Sequence, residues 1–301
     1  MDPRRLLLLR AVADEGSLAG AARHLGTTQQ AVSQQVARLE REVGTALVVR
    51  QGRGSALTEA GRLLVARAHE LARVLRGAEE DLAALAGLVR GSVAVAAFPT
   101  ATAVVLPEAL AALAASAPEL EVRLAELEPP EAEDAVRAGR ADVALVFRHE
   151  GDPEPVPGDL VRRPLSGHAV HAVVREGAPL PASMGDLAGE RWIAGCPRCR
   201  AHLVRAGARA GFAPDVRLAT DDHVAVRRLV AAGLGVALLP VWALRAASLP
   251  GVRTGPLDGV DDRVVEVLLR PEALRVPAVR ALVAELERVA RAVDAGPGRP
   301  G

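Results

Sequence analysis

Residues 17–50, SLAGAARHLGTTQQAVSQQVARLEREVGTALVVR, carry two amphipathic patterns separated by a short break. Leu18, Ala22 and Leu25 fall at helical spacing, and Gly26-Thr27-Thr28 interrupts them. Val32, Val36, Leu39 and Val43 then recur every three or four residues, with Thr28 placed to cap the second helix. A helix, a tight turn and a helix are expected. The face opposite the valines holds Gln29, Gln30, Ser33, Gln34 and Arg38. Glutamine can make two hydrogen bonds to adenine in the major groove, serine adapts to several partners, and arginine reaches guanine or phosphate. The same face could also be a solvated helix surface.

Working outward, the segments AAxxL, TTQQAVSQQVxxLE, LVxR and LTEAG follow one another at close spacing. Together they resemble the DNA-binding domain of the LysR-type transcriptional regulators, over nearly all of residues 4 to 64. The resemblance places base-reading and phosphate-contacting side chains on Thr28, Gln29, Gln30, Ser33 and Gln34, and the arginine closing the wing strand on Arg50. Gln30 stands where the family usually has proline, which bears on sequence preference. Val48 stands where it usually has phenylalanine, which trims a core aromatic.

Residues 4 to 13 read as a first helix whose leucines cover this pair, and Gly44 ends the second helix. Short strands flank Gln51-Gly52-Arg53-Gly54, a turn with two glycines. Arg53 would project from this wing towards phosphate or the minor groove, or stand as an exposed turn arginine. From Thr58, an N-cap, a long helix is expected. Leu64, Leu71, Ala78 and Leu85 repeat every seven residues, as do Ala68, Leu75, Leu82 and Val89. A narrow seam of this kind suits a dimerising linker helix better than a core helix, and a two-fold pair of reading helices can address two half-sites.

Beyond residue 90 strands and helices alternate: SVAVAAF, VVLPEALAALAAS, LEVRLAEL, PEAEDAVRAG and ADVALVF. This predicts a mostly parallel sheet with covering helices. After the proline-rich GDPEPVPG, a second set begins at HAVHAVVRE, with a helix at about 201 to 210, VRLAT, HVAVRRLVAAG and LGVALLP. A returning strand at 262–269 and a last helix at 277–293 follow. Two α/β lobes with a return to the first resemble the effector domain of the same family, a fold like that of type II periplasmic solute-binding proteins.

The expected architecture is thus α+β and α/β. It comprises a winged helix-turn-helix domain (1–58), a linker and dimerisation helix (59–90), a two-lobed effector domain (91–294) and a disordered tail (295–301). Lobe 1 covers about 91–163 and 264–294, and lobe 2 about 164–263.

Open sheets bind ligands where strand ends, loops and helix N-termini converge. Thr100 and Thr102, in the loop after the first strand of lobe 1, can donate to an effector carboxylate or carbonyl, or can simply cap a helix. The resemblance puts Cys196 and the Thr220-Asp221 loop opposite them, and Phe147 with Arg148 ends a neighbouring strand. Cys196-Pro197-Arg198-Cys199 with His202 offers three ligands where structural zinc takes four, His223 being the nearest candidate for a fourth. The same motif would also serve as a reversible disulfide, with Arg198 and Arg200 lowering a thiol pKa. Two loop cysteines beside a cleft are the plainest reading, and no metal or cofactor is expected.

Composition sets bounds. The chain has 301 residues, half of them hydrophobic, so cores of real size are available. Its 37 cationic side chains are all arginine and are balanced by 37 acids. Ten arginines against six acids in residues 1–67 give a surplus of four at the proposed DNA-binding end. With no tyrosine and 2% aromatics, stacking platforms for single strands or RNA are not expected. Four leucines after Arg4-Arg5 are too short a run for a signal peptide, and no stretch reaches the length of a membrane span. The cytoplasm is the expected location. No GxSxG, GxxxxGK(S/T), HExxH or dinucleotide fingerprint is present, so catalysis is disfavoured. The expected partners are double-stranded promoter DNA, a small-molecule effector, further copies of the chain as homodimer or homotetramer, and RNA polymerase. A thiol-based redox regulator using Cys196 and Cys199 is the alternative, and a solute-binding protein a more distant one.

Overall fold

The computed structural model describes residues 1–51, 54–85, 91–153 and 158–295. The chain divides into two compact units, residues 1–88 with 138–140, and residues 89–137 with 141–301.

The first unit contains α1 (Pro3–Asp14), α2 (Leu18–His24), α3 (Gln29–Val43), the hairpin β1 (Val48–Gln51) and β2 (Gly54–Leu57), and α4 (Glu59–Leu85). Hydroxyls start three of the helices. Ser17 Oγ accepts from the Gly20 N–H at 3.0 Å, Thr28 Oγ1 from the Ala31 N–H at 3.2 Å and Thr58 Oγ1 from the Gly61 N–H at 3.0 Å. Each bond satisfies a donor that the first helical turn leaves without an intrahelical partner. Gly26, at φ +61°, makes the turn between α2 and α3, a conformation that side chains disfavour. Leu9, Val32, Leu39 and Leu47 are wholly buried beneath these helices.

In α4 the anticipated seam divides. Val65 is buried in the unit's own core with Leu64 packed against it and Ala68 is buried too, whereas Leu75 and Leu82, seven residues apart, are 49% and 68% exposed. Val89, the last position of the seam, lies outside the described residues, as do 86–90 generally.

The second unit opens with lobe 1: β3 (Gly91–Ala97), α5 (Pro99–Val104), α6 (Leu106–Ser116), β4 (Leu120–Glu126), α7 (Pro129–Arg137), β5 (Val143–His149) and β6 (Val161–His168). Lobe 2 follows with β7 (Val170–Arg175), a 3₁₀ turn at Met184–Leu187, β8 (Arg191–Ala194), α8 (Pro197–Arg209) and β9 (Asp215–Ala219). It ends with α9 (His223–Ala231), β10 (Ala237–Pro240), α10 (Val241–Arg245) and β11 (Val252–Pro256). The chain then returns to lobe 1 through β12 (Arg263–Leu269), a second 3₁₀ turn at Pro271–Arg275 and α11 (Pro277–Ala295).

The lobe 1 sheet has the order β4-β3-β5-β12-β6, with β3 parallel to β4 and β5, and β12 antiparallel to β5 and β6. Its central strand β5 is buried from Val143 to Phe147, so it reads as a continuous apolar run. Lobe 2 has an antiparallel sheet of order β10-β7-β11 and a parallel pair β8-β9, joined by a bridge from Trp192 to Val236.

Several elements depart from the sequence reading. β6 carries lobe 1 to His168, five residues beyond the expected boundary. Its Pro164 sits beside a register shift on an edge strand, where a missing N–H costs little. Thr100 and Thr102 belong to α5 rather than to a loop, because Pro99 starts a helix. α8 begins at Pro197, so the CPRC motif is the start of a helix and not a loop. α11 extends to Ala295, and the remainder of the expected tail lies outside the described residues. The chain leaves lobe 1 after His168 and re-enters it at Arg263, and these two residues are partners on one rung of the sheet.

Candidate DNA interface and interlobe site

The apolar stripe of α3 is buried through Val32, Val36 and Leu39, and this leaves Thr28, Gln29, Gln30, Ser33, Gln34 and Arg38 exposed on its other faces. Gln35 sits on the flank, where its Oε1 accepts from Arg5 Nε at 3.1 Å. The Gln30 found in place of proline leaves the first turn intact, since α3 starts at Gln29 under the Thr28 cap. Val48 packs against both small cores of the unit.

Glu40 fastens the hairpin to this helix. Its Oε1 accepts from the Leu47 N–H at 2.8 Å and the Val48 N–H at 3.2 Å. Arg50 lies in β1 opposite Ser55. Arg53 lies outside the described residues.

Between the two lobes a second cluster forms around Cys196 and Cys199. Cys196 is the N-cap of α8, with its Sγ accepting from the Cys199 N–H at 3.5 Å, and the two sulfurs are 3.2 Å apart. From lobe 1, Arg263 Nη2 donates to Cys199 Sγ at 3.1 Å. The same guanidinium lies 3.8 Å from the centre of the Phe147 ring and 5.9 Å from that of Phe98, an arrangement that favours a cation.

The charge environment is asymmetric. The Cys196 thiol, donating to Cys199, holds the Cys199 pKa down to about 7, and Arg263 acts in the same direction against burial. Cys196 is pushed up correspondingly, first by that shared proton and then by burial. The Glu128 carboxyl faces Cys196 and is pushed up to about 8, chiefly by burial. The pair therefore holds its negative charge on Cys199.

Around this cluster the anticipated effector residues differ in role. The Thr100 and Thr102 hydroxyls are buried and have no hydrogen-bond partner, which leaves two donors for a ligand. Phe147 is core, in edge contact with Phe98 at 4.9 Å between ring centres. Thr220 Oγ1 accepts from the Asp222 N–H at 3.3 Å, and Asp221 is exposed but acts electrostatically on Cys199 and Glu128. Among the described residues, no group of three or more His, Cys, Asp and Glu side chains could hold a metal ion, and no helix is long and apolar enough to cross a membrane.

Residues 86–291 match the LysR substrate binding domain, and residues 3–62 match the bacterial regulatory helix-turn-helix protein of the lysR family. The chain belongs to the LysR family. It is 33% identical over 262 residues to a probable cat1 operon transcriptional activator of Acinetobacter lwoffii, covering 81% of this chain and 82% of that one. It is 29% identical to the probable regulator LrrA of Synechococcus elongatus, over 98% and 99% of the two chains. Among solved structures, CbnR, a LysR family transcriptional regulator, has a TM-score of 0.67 at 23% identity, with 96% and 99% of the chains covered. Full-length OxyR from Pseudomonas aeruginosa has a TM-score of 0.72 at 22% identity, with 97% and 95% covered. This LysR protein is accordingly a DNA-binding transcriptional regulator with an effector-binding domain, in a family of regulators rather than enzymes.

Within the LysR regulator, Arg263 and Glu128 are the site residues that sequence reasoning missed. Glu128 precedes Pro129, which opens α7, and Arg263 is the first residue of the returning strand. A charged residue at the entry to an apolar strand was the available signal. A separate pocket of about 480 Å³ is lined by Arg137, Arg148, Arg162, Arg198 and two acids. Three of its arginines already face Glu133, at 3.5, 3.0 and 3.9 Å for Arg137, Arg162 and Arg198. It is an ion-pair network more than an open anion site.

Proposed function

We propose that this LysR regulator binds double-stranded promoter DNA as a dimer or tetramer and changes its occupancy or bending of that DNA when a small molecule enters the interlobe cleft. The observation that carries the DNA reading is the exposed front of Gln29, Gln30, Ser33, Gln34 and Arg38 on a helix whose other side is anchored by Val32, Val36 and Leu39. Such a regulator works on the chromosome in the cytoplasm and acts through RNA polymerase. An effector shifts the lobes only in so far as it binds one arrangement better than another. The unpaired Thr100 and Thr102 hydroxyls favour a ligand with carboxylate or carbonyl oxygens.

Gln29→Ala tests the front. Discrimination between operator and random duplex, measured by fluorescence anisotropy at fixed salt, is expected to fall by roughly 1 to 3 kcal/mol if the amide reads a base. An equal loss on both duplexes would assign Gln29 to phosphate instead.

The exposed Leu75 and Leu82 of α4 support its role as the pairing helix. Leu82→Glu is expected to lower the mass seen by light scattering at micromolar concentration and to weaken operator binding with it, because a charge would be forced into the seam. Unchanged mass would remove α4 from the interface.

A second reading, a regulator that responds to oxidation, is favoured by one observation, the 3.2 Å separation of Cys196 and Cys199 Sγ.

A further inference from the structure

We propose that Cys196 and Cys199 form a dithiol–disulfide centre for low-molecular-weight disulfides, in which the Cys199 thiolate is also the counter-ion that ties Arg263, and with it lobe 1, to lobe 2. The proposal deepens the oxidation-responsive reading and depends on the DNA-binding reading only for its consequence.

The geometry supplies each part. Cys199, in the first turn of α8, is the more exposed of the two residues, and Cys196 is buried. Arg263 Nη2 and the Cys196 thiol both donate to Cys199 Sγ, so this sulfur carries the charge and is the attacking nucleophile. The partners come from different strands and helices: Cys196 and Cys199 belong to lobe 2, while Arg263 and Glu128 belong to lobe 1. Asp221, before α9, adds an opposing negative charge.

In the first step the Cys199 thiolate attacks one sulfur of R–S–S–R. The oxidant's S–S bond breaks, and the leaving RS⁻ takes a proton from solvent. In the second step the Cys196 sulfur attacks Cys199 Sγ as its own proton passes to the departing second RS⁻. One S–S bond has formed and one has broken; the protein has lost two electrons and the oxidant has become two RSH. No third reactant is needed.

Oxidation has an electrostatic consequence. Arg263 is 2% exposed and rests on two aromatic rings, and the reaction discharges the anion that it faces. A buried cation left without its counter-ion is unfavourable, so the oxidised protein has reason to separate the lobes or to admit an anionic ligand beside Arg263.

The test uses the full chain. Protein is equilibrated with mixtures of oxidised and reduced dithiothreitol and analysed by maleimide trapping and mass spectrometry, and iodoacetamide modification of the reduced protein is followed against pH. An intramolecular Cys196–Cys199 disulfide is expected, with a Cys199 alkylation midpoint near 7. In Arg263→Met the midpoint should rise by about one unit, a roughly five-fold loss of rate at pH 7, and Arg263→Lys should restore part of it. Absence of the disulfide, or a wild-type midpoint near the ordinary thiol value of about 8.5, would overturn the proposal. So would a midpoint indifferent to Arg263→Met. If that variant does not fold, the wild-type profile still decides. Operator binding is read on the same reduced samples, so that failure to bind DNA with intact thiol chemistry counts against the regulator reading alone.

Discussion

Gly61→Ala is expected to abolish operator binding and to destabilise the DNA-binding unit by roughly 1 to 3 kcal/mol, as overpacking against rigid backbone does. A Cβ on Gly61 would stand 2.1 Å from the Leu47 carbonyl oxygen. That oxygen accepts from the Thr58 N–H at 3.0 Å, and the Leu47 N–H is held by Glu40. No flexible side chain is available to give way, so α4 or the start of the hairpin must move. The same substitution at Gly77, where nothing lies within 4 Å on the same helix, should instead gain about 0.5 to 1 kcal/mol from helix propensity. Urea unfolding followed by helical dichroism, with operator binding in parallel, separates the two. Native-like behaviour of Gly61→Ala would refute the close approach of α4 to Leu47.

Acid should destabilise the two-lobed unit strongly. His168 is held down to about 3, and His202 and His223 to about 4, in each case first by burial. His149, stacked on His202 at 3.8 Å between ring centres, is depressed for the same reason, reinforced by His202 and Arg263. These rings stay neutral in the folded chain, whereas the unfolded chain takes up protons as the pH falls below about 6.5. Stability is therefore full above 6.5 and declines from there towards the folded values near 4 and 3. Glu128 has the opposite sign: its raised value contributes stability below about 4.5 that fades as the pH climbs through 8. Four depressed rings outweigh one raised carboxyl, and the net loss between pH 7 and pH 5 should be on the order of 2 to 5 kcal/mol. Urea midpoints across that range check it, and a flat profile would mean that the rings are open to water.

How much of this was legible in the chain depends on the range of the interaction. The turn at Gly26, the caps at Thr28 and Thr58, and the stripe of Val32, Val36 and Leu39 are local, and periodicity reveals local order. Pro197 at the first position of a helix is also a local signal, yet the neighbouring cysteines drew CPRC towards a loop reading. β6 was hidden because VRRPLSGH has neither alternation nor a safe place for proline until the bulge is known. α10 was buried in the apolar run LLPVWALR, whose first half is strand. The Cys199–Arg263 contact spans 64 residues of sequence, and no spacing rule connects them. What could be seen was a CxxC; what made it asymmetric came from the other lobe.

The two chain crossings share the rung of His168 and Arg263. The paired strands clasp the lobes at this rung as a pin holds a pair of tongs. Arg263, whose guanidinium donates to Cys199 Sγ, therefore stands at that clasp itself.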